Sequence, residues 1–320
     1  MGLFSYTVAG GGFIMIGVWE SFVSSSETLK VSPPSPLEQP QPADLSAKST
    51  RISSSVTFVA GSVLSFLFIV NSIISISDAI SSEDSIGVVL QLEVISISLL
   101  FLLYSVVGLV SKTKDSPQLP CPIPNLISLF AFAEEFLLFY LQRKDPSGVE
   151  NRYYDLFLVP IAVCAFCTIL ELKNPQSNHY RLGRGVGLTL QGMWILQMGF
   201  SFFSDMMVHG CSLHEKSRGN YTVKCKGSPE YHRGRAIATL QFNCHLALLV
   251  AIVSGIFSIV CKKNGIKQES SKYRPLGAEV QQMEMGACSA FTLDSDEDDG
   301  EHINGLGMQR AANGLPPPHL

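Results

Sequence analysis

The feature that most constrains the fold is a set of seven long apolar runs with the polar residues gathered between them. A helix rises ~1.5 Å per residue, so about 20 apolar residues are needed to cross the hydrocarbon core of a bilayer. Each run is close to that length, which predicts seven membrane-spanning helices. The runs extend over residues 7–23, 54–76, 86–110, 123–141, 156–172, 186–203 and 236–261.

The composition agrees with this interpretation. Hydrophobic residues make up 46% of the 320 positions and charged residues only 16%, whereas soluble domains carry about 25% charge. A net charge of −4 leaves no basic field of the kind that binds nucleic acid. We therefore predict an all-α fold, a polytopic helical membrane bundle of about seven transmembrane helices. Its partner is the lipid bilayer and not nucleic acid.

The chain is predicted to divide into a membrane domain and a tail. Residues 1–261 hold the seven helices, with a proline-rich linker over 26–51. Such a composition is typical of an extended, flexible connection. Residues 262–320 contain the acidic run "DSDEDDGE" and too few apolar side chains to fold alone. We expect a disordered, acidic, cytosolic tail.

The distribution of Lys and Arg predicts the orientation, because cytoplasmic connections of membrane proteins carry an excess of both. The connections after the first, third and fifth helices, together with the tail, hold more of them than the opposite side. We therefore expect an integral protein of an endomembrane or the plasma membrane. Its N-terminus is expected outside the cell or in a lumen, and its C-terminus in the cytosol.

Two patterns between the sixth and seventh helices fit this orientation. "NYT" at Asn220 is an acceptor pattern for N-glycosylation, and Cys211 and Cys225 can pair in an oxidising compartment. The alternatives are a chance match and two free thiols. In the tail, the acidic residues after Ser295 suit an acid-directed kinase, with an unmodified tail as the alternative.

Ionisable groups inside the runs are candidates for function, because each costs at least ~2.5–3.5 kcal/mol to insert. The candidates taken are Glu93, Glu134, Glu135, Glu171 and His245. Glu135 and His245 both lie near the predicted midplane, so we expect Glu135 to face the interior with His245 as its partner. Glu134 is expected at a seam between helices. The candidate intramembrane polar site comprises Glu93, Glu135, Gln191, Gln197, Gln241 and His245.

Three interpretations of this polar set are open. It can hold helices together through hydrogen bonds, carry protons or ions, or bind a metal. The glycine-rich stretches at 9–12 and 183–187 predict close helix packing, since neither follows a strand as a nucleotide-binding motif does. No nucleophile with a base stands out. We expect no catalytic residue, no cofactor and no bound metal.

Four segments carry a resemblance to a known family: "MGLFSYTVAGGGFIMIGVW", "EFLLFYLQRKDPSGVENRYYDLFLV", "LQGMWILQMGF" and "HRGRAIATLQFNCHLALL". They resemble the transmembrane protein 45 family, a domain-of-unknown-function group, and most of all its plant branch. Plant members are described as viral-response proteins. The resemblance spans residues 1–261 apart from the linker, and it implies several transmembrane helices and no established enzyme activity.

The resemblance also implies histidines that this chain lacks. Imidazole is a strong ligand for zinc and iron, so the absence of these histidines argues against a histidine-rich metal site. Family members carry them where this chain has Thr7, Val94, Gln142, Pro146 and Tyr154. The residues shared with the family are Glu93, Glu135, Gln191, Trp194, Gln197, His232 and His245.

The first functional hypothesis is a non-enzymatic membrane protein that acts through unknown protein partners in stress or viral response. The acidic tail would be its docking segment. The alternative is a proton- or ion-coupled transporter that uses Glu135 and His245, although the chain lacks the internal repeat of many transporters. A membrane-embedded metal-dependent enzyme is the third hypothesis.

Overall fold

The computed structural model describes residues 2–30, 43–112, 122–142, 148–175, 177–204, 210–217 and 219–263. Within these ranges the chain forms seven helices and one β-hairpin. All seven helices are long and apolar enough to cross a membrane, which confirms the predicted fold class. They are α1 (Leu3–Lys30), α2 (Ala43–Ser81), α3 (Ser85–Val110), α4 (Pro122–Leu141), α5 (Glu150–Lys173), α6 (Asn178–Phe203) and α7 (Ser228–Lys263), with β1 (Cys211–Ser217) and β2 (Asn220–Cys225) before α7.

The helices differ from the predicted runs mainly in where they begin. α3 and α4 begin within one residue of the prediction, but α6 begins at Asn178 rather than at residue 186, and α7 at Ser228 rather than at residue 236. Hydropathy places a boundary after the last charged residue, whereas both helices continue through their charges. Pro229 is tolerated in the first turn of α7 because an N–H there has no intrahelical partner.

The proline-rich linker predicted over 26–51 is shorter in the structure. α1 continues to Lys30 and α2 begins at Ala43, so helices include both ends of the predicted linker. The stretch "ADLSAKSTR" has neither proline nor glycine, and nothing in its backbone chemistry stops a helix. Residues 31–42, where the prolines are concentrated, lie outside the described residues. The predicted tail beyond Lys263, including Ser295, lies outside them too.

The first six helices form a closed ring. Consecutive helices from α1 to α6 pack side by side, and α1 packs on α6 more extensively than any other pair. α7 has few contacts, and these are with α5, α6 and β2. The seventh helix therefore lies outside the ring, and the interior belongs to α1 to α6.

Glycines let α1 and α6 approach to backbone contact. A Cβ at Gly17 would lie 2.6 Å from the carbonyl oxygen of Gly185, and one at Gly192 would lie 2.5 Å from the carbonyl oxygen of Gly10. The residue numbers rise along one helix as they fall along the other, so the two helices are antiparallel. The glycine-rich stretches thus lie where the helices approach most closely.

Aromatic side chains fill the junction of α5, α6 and α7. Trp194 is fully buried, and its indole N–H donates to the carbonyl oxygen of Tyr153 at 2.9 Å. Its ring stacks on that of Tyr153 with centroids 5.4 Å apart and meets Phe242 of α7 edge-on at 5.1 Å. Both geometries are favoured for aromatic pairs. Trp194 therefore attaches α7 to the outside of the ring.

The connection between α6 and α7 contains an antiparallel hairpin that the sequence did not predict. Cys211 and Cys225 face each other in its register and are joined by a disulfide. The backbone N–H of Val223 donates to Oε2 of Glu150 at 2.7 Å, and that of Val149 donates to the carbonyl oxygen of Val223 at 3.2 Å. The hairpin is thus held against the start of α5.

Candidate functional site

A cavity of about 220 Å³ lies between the helices of the ring. Its wall comes from α1 to α6 and is mostly apolar. Gly219, in the turn of the hairpin, also contributes to the wall. The volume is below the ~300–1,000 Å³ of pockets for drug-sized ligands, so this interior suits a small molecule. Its aromatic lining includes Phe13, Phe68, Phe101, Phe132 and Phe157.

Glu135 on α4 is the predicted site residue that lines this cavity. Its side chain is buried, with 6% of the residue exposed, and Oε1 accepts a hydrogen bond from Nε2 of Gln191 on α6. Oε2 is also buried but has no hydrogen-bond partner among the described residues. A buried polar atom left without a partner costs about 1–3 kcal/mol. One oxygen of the carboxylate thus has a hydrogen-bond partner, and the other has none among the described residues.

Gln91 on α3 is a second polar side chain of the cavity wall. It is 2% exposed, and within the described ranges no donor reaches its Oε1. A Cβ at Gly219 would lie 2.9 Å from its Nε2. Gly219 also has a φ of 84°, a left-handed conformation that glycine adopts without strain. Gln91 therefore marks the end of the cavity that the hairpin turn covers.

Arg184 on α6 lines another part of the cavity, within a buried group of three charges. Its Nη2 and Nε donate to Oε1 of Glu20 on α1 at 2.5 and 3.1 Å. Its Nη1 donates to Oε2 of Glu171 on α5 at 2.5 Å. A charge removed from water needs both a partner and hydrogen bonds, and Arg184 has both on two sides. The triad joins three helices.

The triad and Glu135 lie at different levels of the bundle. Arg184 and Gln191 are seven residues apart on α6, which is two turns, or roughly 10 Å along the helix. Because Arg184 contacts Glu20 and Gln191 contacts Glu135, the two carboxylates are separated by about the same distance along the axis. Among the described residues, the cavity wall therefore has two acidic positions, Glu20 and Glu135, of which Glu20 is next to a guanidinium.

His245 is not the partner of Glu135, contrary to the sequence-based expectation. Its Nδ1 lies 2.7 Å from the carbonyl oxygen of Gln241 in the same helix, and its ring meets Trp194 edge-on at 6.2 Å. Helix α7 lies outside the ring, whereas Glu135 faces the inside. The two residues therefore contact α6 on different sides, Glu135 through Gln191 and His245 through Trp194.

The other predicted polar residues also lie away from the cavity. Nε2 of Gln197 donates to Oγ of Ser201 at 3.1 Å within α6, and Oε1 of Gln241 accepts from the hydroxyl of Tyr153 at 3.1 Å. Glu93 is exposed on the outer face of α3. Of the six residues predicted to form the polar site, Glu135 and Gln191 are joined by a hydrogen bond between side chains, whereas His245 contacts the backbone of Gln241 in its own helix.

Glu134, next to Glu135 in sequence, lies at the seam between α3 and α4. Its Oε2 accepts a hydrogen bond from Oγ of Ser96 at 3.3 Å, and the side chain is half-buried. Adjacent residues of a helix project ~100° apart, which places one glutamate in the cavity and the other between two helices. The two carboxylates therefore have different surroundings.

Three of the polar side chains of the cavity wall are absent from the site predicted from the sequence: Glu20, Gln91 and Arg184. Arg184 lies before the sixth predicted run, which starts at residue 186, and Glu20 lies near the end of the first run. Gln91 lies inside the third run, but nothing in the sequence distinguishes it as a residue of the interior. One signal was available: Arg184 stands between small residues in "GRGVG", and small residues let helices approach closely enough to bury it.

The glycosylation pattern lies in the folded hairpin. Asn220 begins β2 and is half-buried, while Tyr221 and Thr222 are buried. The ring of Tyr221 meets that of Phe203 edge-on at 5.3 Å. Glycosylation of Asn220 stays a prediction. For metals, no group of three or more His, Cys, Asp or Glu side chains in the described ranges is arranged to hold an ion.

Comparison with known proteins finds a family that is similar to the second half of the bundle. Residues 122–258 match the Family of unknown function (DUF716). No curated protein matches the chain. The matched segment contributes Glu135, Gln191, Glu171 and Arg184. Over α4 to α7, up to residue 258, the chain is therefore similar to an uncharacterised family.

Proposed function

We propose that this protein is a non-enzymatic integral membrane protein that binds a small molecule inside its helix bundle and acts through protein partners. The observation that carries the proposal is the cavity into which the buried Glu135 projects with one unpartnered oxygen among the described residues. Acidic groups inside membranes are costly and mark functional sites by default. An apolar pocket with a few polar groups is the usual form of a small-molecule site.

The character of the wall supports binding rather than catalysis. A catalytic site needs a nucleophile with a base in reach, or a metal with an open position. Among the described residues, the cavity is lined by no histidine, cysteine or lysine. The buried Cys164 thiol lies outside the lining and contacts the carbonyl oxygen of Arg184 at 3.7 Å. We therefore assign no catalytic residue.

The resemblance to the transmembrane protein 45 family supports the same cavity. Of the positions where relatives carry histidine, Val94, Gln142 and Tyr154 line it. Thr7 is exposed, and Pro146 lies outside the described residues. We infer a plant-branch member in which uncharged side chains replace imidazoles of the cavity wall. A role in stress or viral response follows from that resemblance alone.

The orientation and the partners complete the proposal. The hairpin, with its disulfide and Asn220, lies on the same side of the bundle as the start of α1. A disulfide is stable in an oxidising compartment, so we place that side outside the cell or in a lumen. The acidic tail then lies in the cytosol, where it is the proposed docking segment for protein partners.

Native mass spectrometry of the protein extracted in mild detergent tests the proposed binding. We expect the wild-type protein to retain a small molecule, and Ser98→Phe, which places a ring in the cavity, to lose it. Ser98 lines the cavity, whereas Ser96, two residues away on α3, is exposed. Ser96→Phe is therefore the matched control and should retain the molecule. An identical spectrum for all three proteins, without a bound molecule, would contradict the proposal.

Ion-coupled transport is the second candidate, and the position of Glu135 in the cavity favours it. The test is proton or cation flux into proteoliposomes. Glu135→Gln should abolish flux, whereas His245→Ala, outside the ring, should retain it. Flux that is absent from the wild-type protein, or unchanged by Glu135→Gln, removes this candidate.

A further inference from the structure

We infer that the cavity binds an organic cation, a primary amine on a short apolar chain, with its ammonium group on Glu135. The inference rests on the proposed function, because it names the class of molecule that the cavity takes. Three properties of the wall lead to it: its charge, the kind of polar atom left without a partner, and its aromatic surface.

The charge of the wall favours a cation. Among the described residues that line the cavity, the charged side chains are Glu20, Glu135 and Arg184. Arg184 is already bonded to Glu20 and to Glu171, so its single positive charge faces two carboxylates. The hydrogen-bond partner of Glu135 is Gln191, an uncharged amide. A buried carboxylate is costly without a counter-charge, and a bound ammonium group supplies one.

The unpartnered polar atoms of the wall select a molecule that donates hydrogen bonds. Oε2 of Glu135 and Oε1 of Gln91 are both acceptors, and both are buried without a donor among the described residues. An ammonium group offers three donors and accepts none, and its bonds to a carboxylate are roughly twice as strong as neutral ones. A carboxylate or phosphate group would instead place oxygen against oxygen.

The rest of the wall suits a short hydrocarbon chain next to a cation. Phe101 and Phe132 meet edge-on with centroids 5.3 Å apart, and Phe13 packs in the same cluster. Aromatic faces attract cations as well as apolar groups. Near Arg184, the guanidinium repels a second cation, which leaves Glu135 as the position for the ammonium group. The cavity of about 220 Å³ limits the length of the chain.

Three probes with the same alkyl chain test the inference: octylamine, octanol and octanoate. The full-length protein is placed in nanodiscs of uncharged phosphatidylcholine, and binding is measured by calorimetry with protein-free nanodiscs subtracted. We expect saturable binding of octylamine, weaker binding of octanol and none of octanoate. Loss of one charge-assisted bond in Glu135→Gln should weaken octylamine binding about tenfold to hundredfold.

Glu134→Gln is the matched control for Glu135→Gln. It makes the same change one residue away, at the α3–α4 seam rather than in the cavity, so octylamine should bind as it does to the wild-type protein. Glu135→Gln keeps an oxygen that can accept from Gln191, and the thermal unfolding of the unliganded variant checks that it folds. If it does not fold, the three probes on the wild-type protein still decide the inference.

The possible outcomes separate this inference from the proposed function. Octanol that binds saturably and at least as tightly as octylamine would overturn the cationic class, while binding inside the bundle would stand. The same conclusion follows if a folded Glu135→Gln binds octylamine as well as the wild-type protein does. If none of the three probes binds saturably, the cationic class is wrong. If native mass spectrometry also finds no bound molecule, the proposed function fails as well.

Discussion

Arg184 donates two hydrogen bonds to one carboxylate oxygen of Glu20, although 164 positions of the chain separate them. Glu171, only 13 positions away, takes the third. The side chain thus ties the first and fifth helices to the sixth, at the place where the ring closes. Removing one member of a buried ion pair leaves a charge without compensation, so the stability of the ring depends on this residue.

Arg184→Ala is predicted to destabilise the bundle by about 3–5 kcal/mol, because it leaves Glu20 and Glu171 buried next to each other without a cation. Chemical unfolding in detergent measures the loss. Lys173→Ala, which removes an exposed positive charge at the end of α5, is the control and should change the stability by less than about 0.5 kcal/mol. Equal unfolding curves for the two variants would refute the structural role of the triad.

Gly17→Ala is predicted to separate α1 from α6. The added Cβ would lie 2.6 Å from the carbonyl oxygen of Gly185, and such overpacking costs about 1–3 kcal/mol. Gly11 is in the same helix, and a Cβ there meets nothing within 4 Å. Gly11→Ala should therefore be neutral or slightly stabilising, since alanine favours a helix more than glycine. The thermal unfolding midpoint should fall for Gly17→Ala and should stay the same or rise slightly for Gly11→Ala.

Reduction of the disulfide is predicted to loosen the hairpin while the helices stay folded. Closing a loop of this size stabilises by roughly 2–4 kcal/mol, so Cys211→Ser with Cys225→Ser should speed proteolysis and hydrogen exchange of β1 and β2. Cys244→Ser, which replaces an exposed free cysteine of α7, should have no such effect. Alkylation of both hairpin thiols in the unreduced wild-type protein would show that the disulfide does not form.

Trp194→Ala is predicted to release α7 from the ring. The fully buried indole contacts Phe242 and His245, and replacing such a side chain with alanine costs about 3–5 kcal/mol. Cross-linking between α6 and α7 should fall, while cross-linking between α1 and α6 should not. His245→Ala removes one edge contact between α6 and α7 and should reduce cross-linking much less. Uniform loss at both helix pairs would show general unfolding instead.

The glycan on Asn220 is predicted to report the orientation. If the hairpin is outside or lumenal, endoglycosidase should increase the mobility of the wild-type protein in a gel and leave Asn220→Gln unchanged. The tail should then be cut by protease added to the cytosolic face of sealed vesicles. Protection of the tail in those vesicles would reverse the proposed topology.

The number and placement of the helices could be predicted because crossing a membrane is a property of each segment. α3 and α4 match their apolar runs almost to the residue, since the charged residues nearest to them, such as Asp84 and Lys112 around α3, lie just outside the helices. α6 could not be delimited in this way. Arg184 precedes the apolar run that marks the sixth helix. Its neighbours in the sequence do not indicate that Glu20 and Glu171 pair with it in the interior.

The contacts of the site depended on which helices close the ring, and helical periodicity does not contain that information. Depth along the helix predicts Glu135 and His245 at the same level, but it does not tell which helix is left outside. Gln191 was in the predicted polar set, yet its role as the partner of Glu135 follows only from the ring, in which α4 and α6 both pack on α5. The hairpin has strands too short to stand out among longer apolar runs.

The pairing of α1 with α6 has a consequence for how the protein is made. The first helix leaves the ribosome long before its main partner, so the glycines of α1 face lipid while four more helices are inserted. A chain that ends after α5 would carry Glu20 and Glu171 with no guanidinium to join them. Synthesis of the sixth helix is therefore the step that completes the bundle, and shorter products are natural targets for membrane quality control.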